Sequence, residues 1–189
     1  MATIWKLPKN PATAFDTNII PAFSTGQNST TTLDQFGEWS CSYSKVASSA
    51  SQWLASNAFD KNSGSVVQTS GCGKIKEYIQ LNCPKGVRIN PERITLRGKH
   101  KCDYTVAPYF DMYLWVEGYD ASTNTWTKIT NEIFMPEDNA IRIFEFIPTI
   151  NDFYSGFRFY LECRTSTFSY IDYGMIYDIE ITNGTIKRG

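Results

Sequence analysis

From about Asp34 to the end of the chain, apolar and polar residues alternate in short runs broken by turn residues, the pattern of half-buried strands. The clearest run is Phe157 to Arg164. Phe157, Phe159, Leu161 and Cys163 fall on one face, and Arg158, Tyr160, Glu162 and Arg164 on the other. Similar runs cover Tyr78 to Cys83, Arg93 to Leu96, Asp111 to Glu117, Ile141 to Phe146 and Ile176 to Ile181. Between them lie turn-forming stretches: Asn82-Cys83-Pro84-Lys85-Gly86, Asn90-Pro91, and Gly118 through Asn124. No stretch carries three turns of amphipathic helix, and no repeat of solenoid or propeller period is present. The pattern predicts an all-β, antiparallel β-sandwich over residues 34–189.

Residues 1–33 have neither period and end in the polar run Ser24 to Thr32, as an extended arm would. Ile4, Trp5, Leu7, Phe15, Ile19, Ile20 and Phe23 exceed the apolar content of a plain linker. They imply docking, either on a neighbouring subunit, giving a homo-oligomer through the arm, or on the bottom edge of the chain's own sandwich.

Eighteen basic against nineteen acidic residues leave a formal charge of -1, with no field to draw the chain onto nucleic acid or an anionic membrane. No stretch is long and apolar enough to predict membrane insertion. The opening segment, broken by Pro8 and Pro11, lacks a secretory signal's apolar run, so synthesis in the cytoplasm without signal-peptide export is expected. Five cysteines without a C-x-x-C pair read as scattered thiols, with a Cys72 to Cys83 bridge left open for oxidising surroundings. The one histidine, His100, has no nucleophile motif around it. Asp111 and Glu117 fall at opposite ends of one strand, so no catalytic pair emerges and a non-enzymatic role is expected.

Four pieces in order carry a family resemblance: Ser48 to Asp60, ending in Ala58-Phe59-Asp60; Glu77 to Leu81 followed by Ile94 to Gly98; Leu114 to Asp120 with Asn124 to Ile129; and Phe157 to Leu161 with Tyr177 to Gly184. Over residues 36–185 this order resembles the discoidin, or galactose-binding-like, family, known also from the type C domains of coagulation factors. Val67 stands where many relatives have Trp, and Lys61 where Gly is usual after the Asp. The resemblance implies a jelly-roll β-sandwich with ligands held on loops at one end. There Trp53, Tyr104 and Tyr109 would stack on a sugar, and Arg97, His100, Lys101 and Asp103 would bond its hydroxyls. For Trp53 the competing role is core packing, and for Lys99-His100-Lys101 a solvated loop.

The turn from Asp60 to Ser65 offers the oxygen-rich set that Ca²⁺ prefers, and relatives often hold a structural calcium there. By position Asp60, Asn62 and Ser65, with Asp178 near the end, would be its ligands; the competing form is a turn capped by Asp60 without metal. Joined to the apolar arm and the missing export signal, the resemblance implies a bacteriophage virion component. A head-fibre, decoration, tail or baseplate protein would be anchored to other virion proteins through the arm, with the sandwich displayed outward toward a host surface glycan. The alternative is a free, lectin-like carbohydrate-binding module.

Overall fold

The computed structural model describes residues 12–45, 54–69, 75–102, 111–164 and 172–189. Two antiparallel sheets face each other. The first contains β1 (Thr13–Phe15), β4 (Val67–Gln68), β6 (Val87–Cys102), β10 (Arg142–Phe146) and β12 (Asp172–Arg188). Its order is β1-β12-β6-β10, with β4 paired to β12. The second contains β2 (Ser29–Asp34), β3 (Gly37–Tyr43), β5 (Ile75–Asn82), β7 (Met112–Asp120), β8 (Thr125–Lys128), β9 (Ile133–Met135) and β11 (Gly156–Cys163). Its order is β2-β3-β5-β11-β7-β8, with β9 also paired to β7. Among the described residues the helical content is one 3-10 turn at Ala55–Ala58, and no helix is long and apolar enough to cross a membrane.

The expected alternation is what closes the sandwich. On β5, Ile75, Glu77, Ile79 and Leu81 point inward; on β11, Phe157, Phe159, Leu161 and Cys163 do the same. They meet Ile94, Leu96, Ile179 and Ile181 from the first sheet, with Phe59 packed at 6.1 Å on Phe159. Burial of this apolar surface, at about 25 cal/mol per Å², is the main favourable term.

Several boundaries differ from expectation. Asn90-Pro91 is not a turn: β6 runs through it, and the missing proline N–H is accommodated at a register shift against Asn183 and Gly184 of β12. Lys99, His100 and Lys101 belong to β6, not to a loop. The segment read as an arm is woven into the sandwich from residue 12 onward. β1 pairs with β12, β2 forms the outer strand of the second sheet, and Ile20 and Phe23 are buried in the chain's own core. Cys41 and Cys83 are free thiols; Cys72, the other member of the bridge left open for oxidising surroundings, lies outside the described residues. Burial pushes the Cys41 thiol up to about 12.

Gly118 shows how tightly the second sheet is packed. A Cβ added there would lie 2.4 Å from Cδ1 of Tyr154, a ring buried at 3 % exposure. Gly118→Ala should therefore lower stability by about 1–3 kcal/mol, the range for forced overpacking. Urea unfolding checks this, and a loss below about half a kcal/mol would mean the ring has room to shift.

Candidate functional site

Six strand ends from both sheets converge at one end of the sandwich. Ile75 at the start of β5 stands opposite Cys163 at the end of β11, and Cys163 opposite Met112 at the start of β7. In the facing sheet, His100 near the end of β6 pairs with Gly174 near the start of β12; in the second sheet β3 also ends here, with Tyr43 opposite Ile79 of β5. The connections carrying Trp53, residues 70–74, and Asp103, Tyr104 and Tyr109 all depart from this end. Trp53, Asp103, Tyr104 and Tyr109 themselves lie outside the described residues. A depression of about 320 Å³ on the rim is lined by Ile75, Lys76, Glu162, Cys163 and Arg164.

Beneath the rim the interior is polar. Glu77 is 1 % exposed, accepts a 2.5 Å hydrogen bond from the Tyr43 hydroxyl and is ion-paired to Lys45 Nζ at 2.6 Å, with Lys45 itself half exposed. Burial, then the Glu77 charge and its hydrogen bond, hold the Tyr43 phenol well above its ordinary value. His100 is fully buried between the sheets, while Lys101, the next residue, is half-buried. Across from His100, Thr69 clamps β12: its N–H donates to the Gly174 carbonyl, and its Oγ1 accepts from the Gly174 N–H, both at 2.9 Å. Sequence reasoning missed Glu77, Tyr43 and Lys45. The signal was present, because Glu77 sits in phase with Ile75, Ile79 and Leu81.

Arg97 does not join this end. It stands on the outer face of the first sheet, opposite Asp178, with Nη1 donating at 3.3 Å to the Ser63 carbonyl and its guanidinium 5.2 Å from the Tyr177 ring. It belongs instead with the four residues expected around calcium. In that turn Asp60 Oδ1 accepts from the Asn62 N–H and Oδ2 from the Thr25 hydroxyl, each at 2.9 Å. Asn62 Oδ1 accepts from the Gly64 N–H at 3.1 Å, and the Asn62 carbonyl from the Ser65 N–H at 3.0 Å. Lys61 takes the left-handed conformation, φ 58°, at the position where the family's Gly is usual.

Burial, then the charges of Glu180 and Asp60, push the Asp178 carboxyl up to about 6, against the opposing pull of Arg97. By type, the carboxylates of Asp60 and Asp178 and the amide, hydroxyl and carbonyl oxygens of the turn are the hard oxygen donors that Ca²⁺ takes. Among the described residues no three His, Cys, Asp or Glu side chains are grouped to hold a metal, so backbone, amide and hydroxyl oxygens would complete any shell.

No family model matches the chain, and no curated protein matches it. Solved structures do. A Ruminococcus gnavus GH29 fucosidase in complex with fucose aligns over 80 % of this chain and 25 % of its own, at 18 % identity and a TM-score of 0.50. The family 32 CBM of C. perfringens NanJ, in complex with galactose, aligns over 78 % of this chain and 93 % of its own, at 13 % identity and 0.49. Chitosan-binding module 1 of a Paenibacillus sp. IK-5 chitosanase/glucanase, solved as a point mutant, aligns over 82 % and 94 %, at 16 % identity and 0.49. The chain thus spans about a quarter of the fucosidase. Two facing antiparallel sheets, with the likeness to part of that enzyme, establish the fold as a galactose-binding-like jelly-roll β-sandwich.

Proposed function

We propose that the chain is a non-catalytic carbohydrate-binding module whose ligand site is the end where the six strand ends converge. The observation that carries this reading is that convergence. The connections bearing Trp53, Asp103, Tyr104 and Tyr109 leave from one end of a rigid two-sheet scaffold, and scaffold-held loops suit polar and aromatic recognition of a small ligand. Lys101 and the Lys45–Glu77 pair supply charged groups at the rim and floor. Fucose and galactose, the sugars in the compared complexes, are the natural first probes.

Among the described residues a hydrolytic role finds no constellation. Asp111 and Glu117 are six residues apart along an extended strand, roughly 20 Å at the usual rise, whereas paired glycosidase carboxylates stand about 5–10 Å apart. The virion role read from the sequence has no support in the fold likeness. Its premise of an arm free to grip a neighbour loses residues 12–33, which pack on the chain's own sandwich. At the Asp60 to Ser65 turn, Ca²⁺ would be held by Asp60 and Asp178 with Asn62 and Ser65, as a structural ion outside the sugar site.

A glycan array followed by calorimetry with methyl galactoside and methyl fucoside tests the proposal. Binding in the micromolar to millimolar range is expected, with Trp53→Ala or Tyr104→Ala each weakening it about tenfold or more, the loss of one stacked ring. Silence across the array would end the proposal. Binding untouched by both variants would move the site elsewhere.

A further inference from the structure

Resting on the sugar reading above, we propose that the saccharide is acidic, a uronate whose carboxylate is taken by Lys76 and Arg164 on the rim. The depression there, about 320 Å³, is at the small end of the range for small-molecule sites. Two of its lining residues, Ile75 and Cys163, are buried and apolar. The other three, Lys76, Glu162 and Arg164, are charged.

These charges do not cancel. Glu162 stands opposite Lys76 in the register of β5 and β11, yet its carboxylate is taken by Arg164, whose Nε lies 2.6 Å away. Glu132, the next carboxylate, is shared between Arg164 Nη2 at 2.8 Å and Lys128 Nζ at 2.7 Å. Two carboxylates therefore stand against three cations, which leaves one positive charge. Further along the face Arg158 and Glu117 stand opposite each other, and deeper in Lys45 is matched by Glu77, so neither pair supplies the missing anion. The surplus rests on Lys76, which is exposed and has no ion-pair partner among the described residues.

Both cations are held in place by rings. Trp115 and Tyr160 stack at 4.8 Å and 4° on the outer face of the second sheet, 3 % and 8 % exposed, and the Lys76 ammonium lies 5.1 and 5.4 Å from their centres. A ring face attracts an ammonium but carries no net charge to neutralise it, so Lys76 is positioned and remains a full cation. Arg164 lies 4.2 Å from the centre of the Tyr113 ring with Nε and Nη2 engaged, while Nη1 makes no hydrogen bond among the described residues. Its two N–H groups and the ammonium are donors for a carboxylate, whose charge-assisted bonds are the strong ones. Side chains already ordered lose little freedom on binding. A neutral sugar would leave the surplus charge unmatched.

Calorimetry with methyl galactoside and methyl galacturonide, which differ by a carboxylate in place of a hydroxymethyl group, tests the proposal. At low salt the uronide should bind about fivefold or more tightly than the galactoside. In the wild type that ratio should shrink towards one in about 0.5 M NaCl, a readout that needs no variant. Lys76→Gln should bring the two affinities together, and Lys76→Arg, which keeps the cation, should hold them apart, with far-UV circular dichroism showing both variants folded. Equal affinities in the wild type, a uronide preference indifferent to salt, or one that survives Lys76→Gln would each overturn the proposal and leave the sugar reading standing. So would a glycan array that binds neutral glycans and no uronate. Silence across the whole array would end both.

Discussion

Replacing Asp178 by asparagine should stabilise the metal-free protein at pH 7 by about 1–2 kcal/mol and abolish any stabilisation by Ca²⁺. The Asp178 carboxyl is raised from 3.8 to about 6, first by burial and then by Glu180 and Asp60. Below the lower value both native and unfolded chains hold the proton. Between them only the native chain does, so ionisation favours unfolding, and stability falls as pH rises through this window and levels off above about 6. The full shift would correspond to about 3 kcal/mol, and the group's partial exposure to solvent reduces this by roughly half. Urea unfolding in EDTA at about pH 4.5 and pH 7 should show that fall in the wild type and not in Asp178→Asn. Added Ca²⁺ should reverse the wild-type fall, because the cation favours the ionised carboxylate, and should leave the variant unmoved. A Ca²⁺ shift of equal size in both proteins would remove Asp178 from the ligand set, and no shift in either would leave the turn as one capped by Asp60 alone.

The second large effect belongs to the floor of the proposed sugar site. Lys45→Met should cost about 2–3 kcal/mol, more than Glu77→Gln at about 1, although the lysine is the exposed member of the pair. Removing Lys45 leaves the Glu77 carboxylate, at 1 % exposure, with a neutral hydroxyl in place of a cation. Removing the Glu77 charge leaves an ammonium that is already half exposed. In the double variant much of the Lys45→Met loss should be recovered, giving a coupling energy above about 1 kcal/mol in a four-protein cycle. Additive losses would show that the two side chains do not sense each other in solution. Since Lys45 directly precedes the segment carrying Trp53, sugar affinity should fall in Lys45→Met even where the protein remains folded.

How much of this was legible in the sequence depended on how strongly one face of each strand is buried. β11 and β5 were plain because every second residue enters the core. β2 was not, because an outer strand needs no apolar face: Ser29 to Asp34 is polar on both sides and even its Leu33 is 75 % exposed. The lengths of β6 and β12 were hidden by Asn90-Pro91 and by Asn183-Gly184, which look like turns but mark the bulges through which the two strands continue. His100 was placed on a loop because two lysines flank it. The inward phase of Ile94 and Leu96 extends through Gly98 to His100, so periodicity outweighed local composition. The Asp60 to Ser65 turn was legible as a turn because its residues are contiguous. The residues expected to bind sugar follow no period, so their grouping at one end came from resemblance alone, and Arg97 stands apart from that end.

β1 gives the molecule a mechanical property. Among the described residues three pairs, Thr13 with Ile186, Ala14 with Thr185 and Phe15 with Gly184, hold it to β12, and Thr13 lies at the end where Arg188 leaves. Tension applied between these two points loads the pairs one after another, as in opening a zipper, and not together in shear. β1 therefore yields first and at low force. The peel then meets the Ile19 N–H bonded to the Ile181 carbonyl at 3.0 Å, and behind it the buried Ile20 and Phe23. A pull applied here would lengthen β1 before it reached the core, leaving the strands at the far end in register.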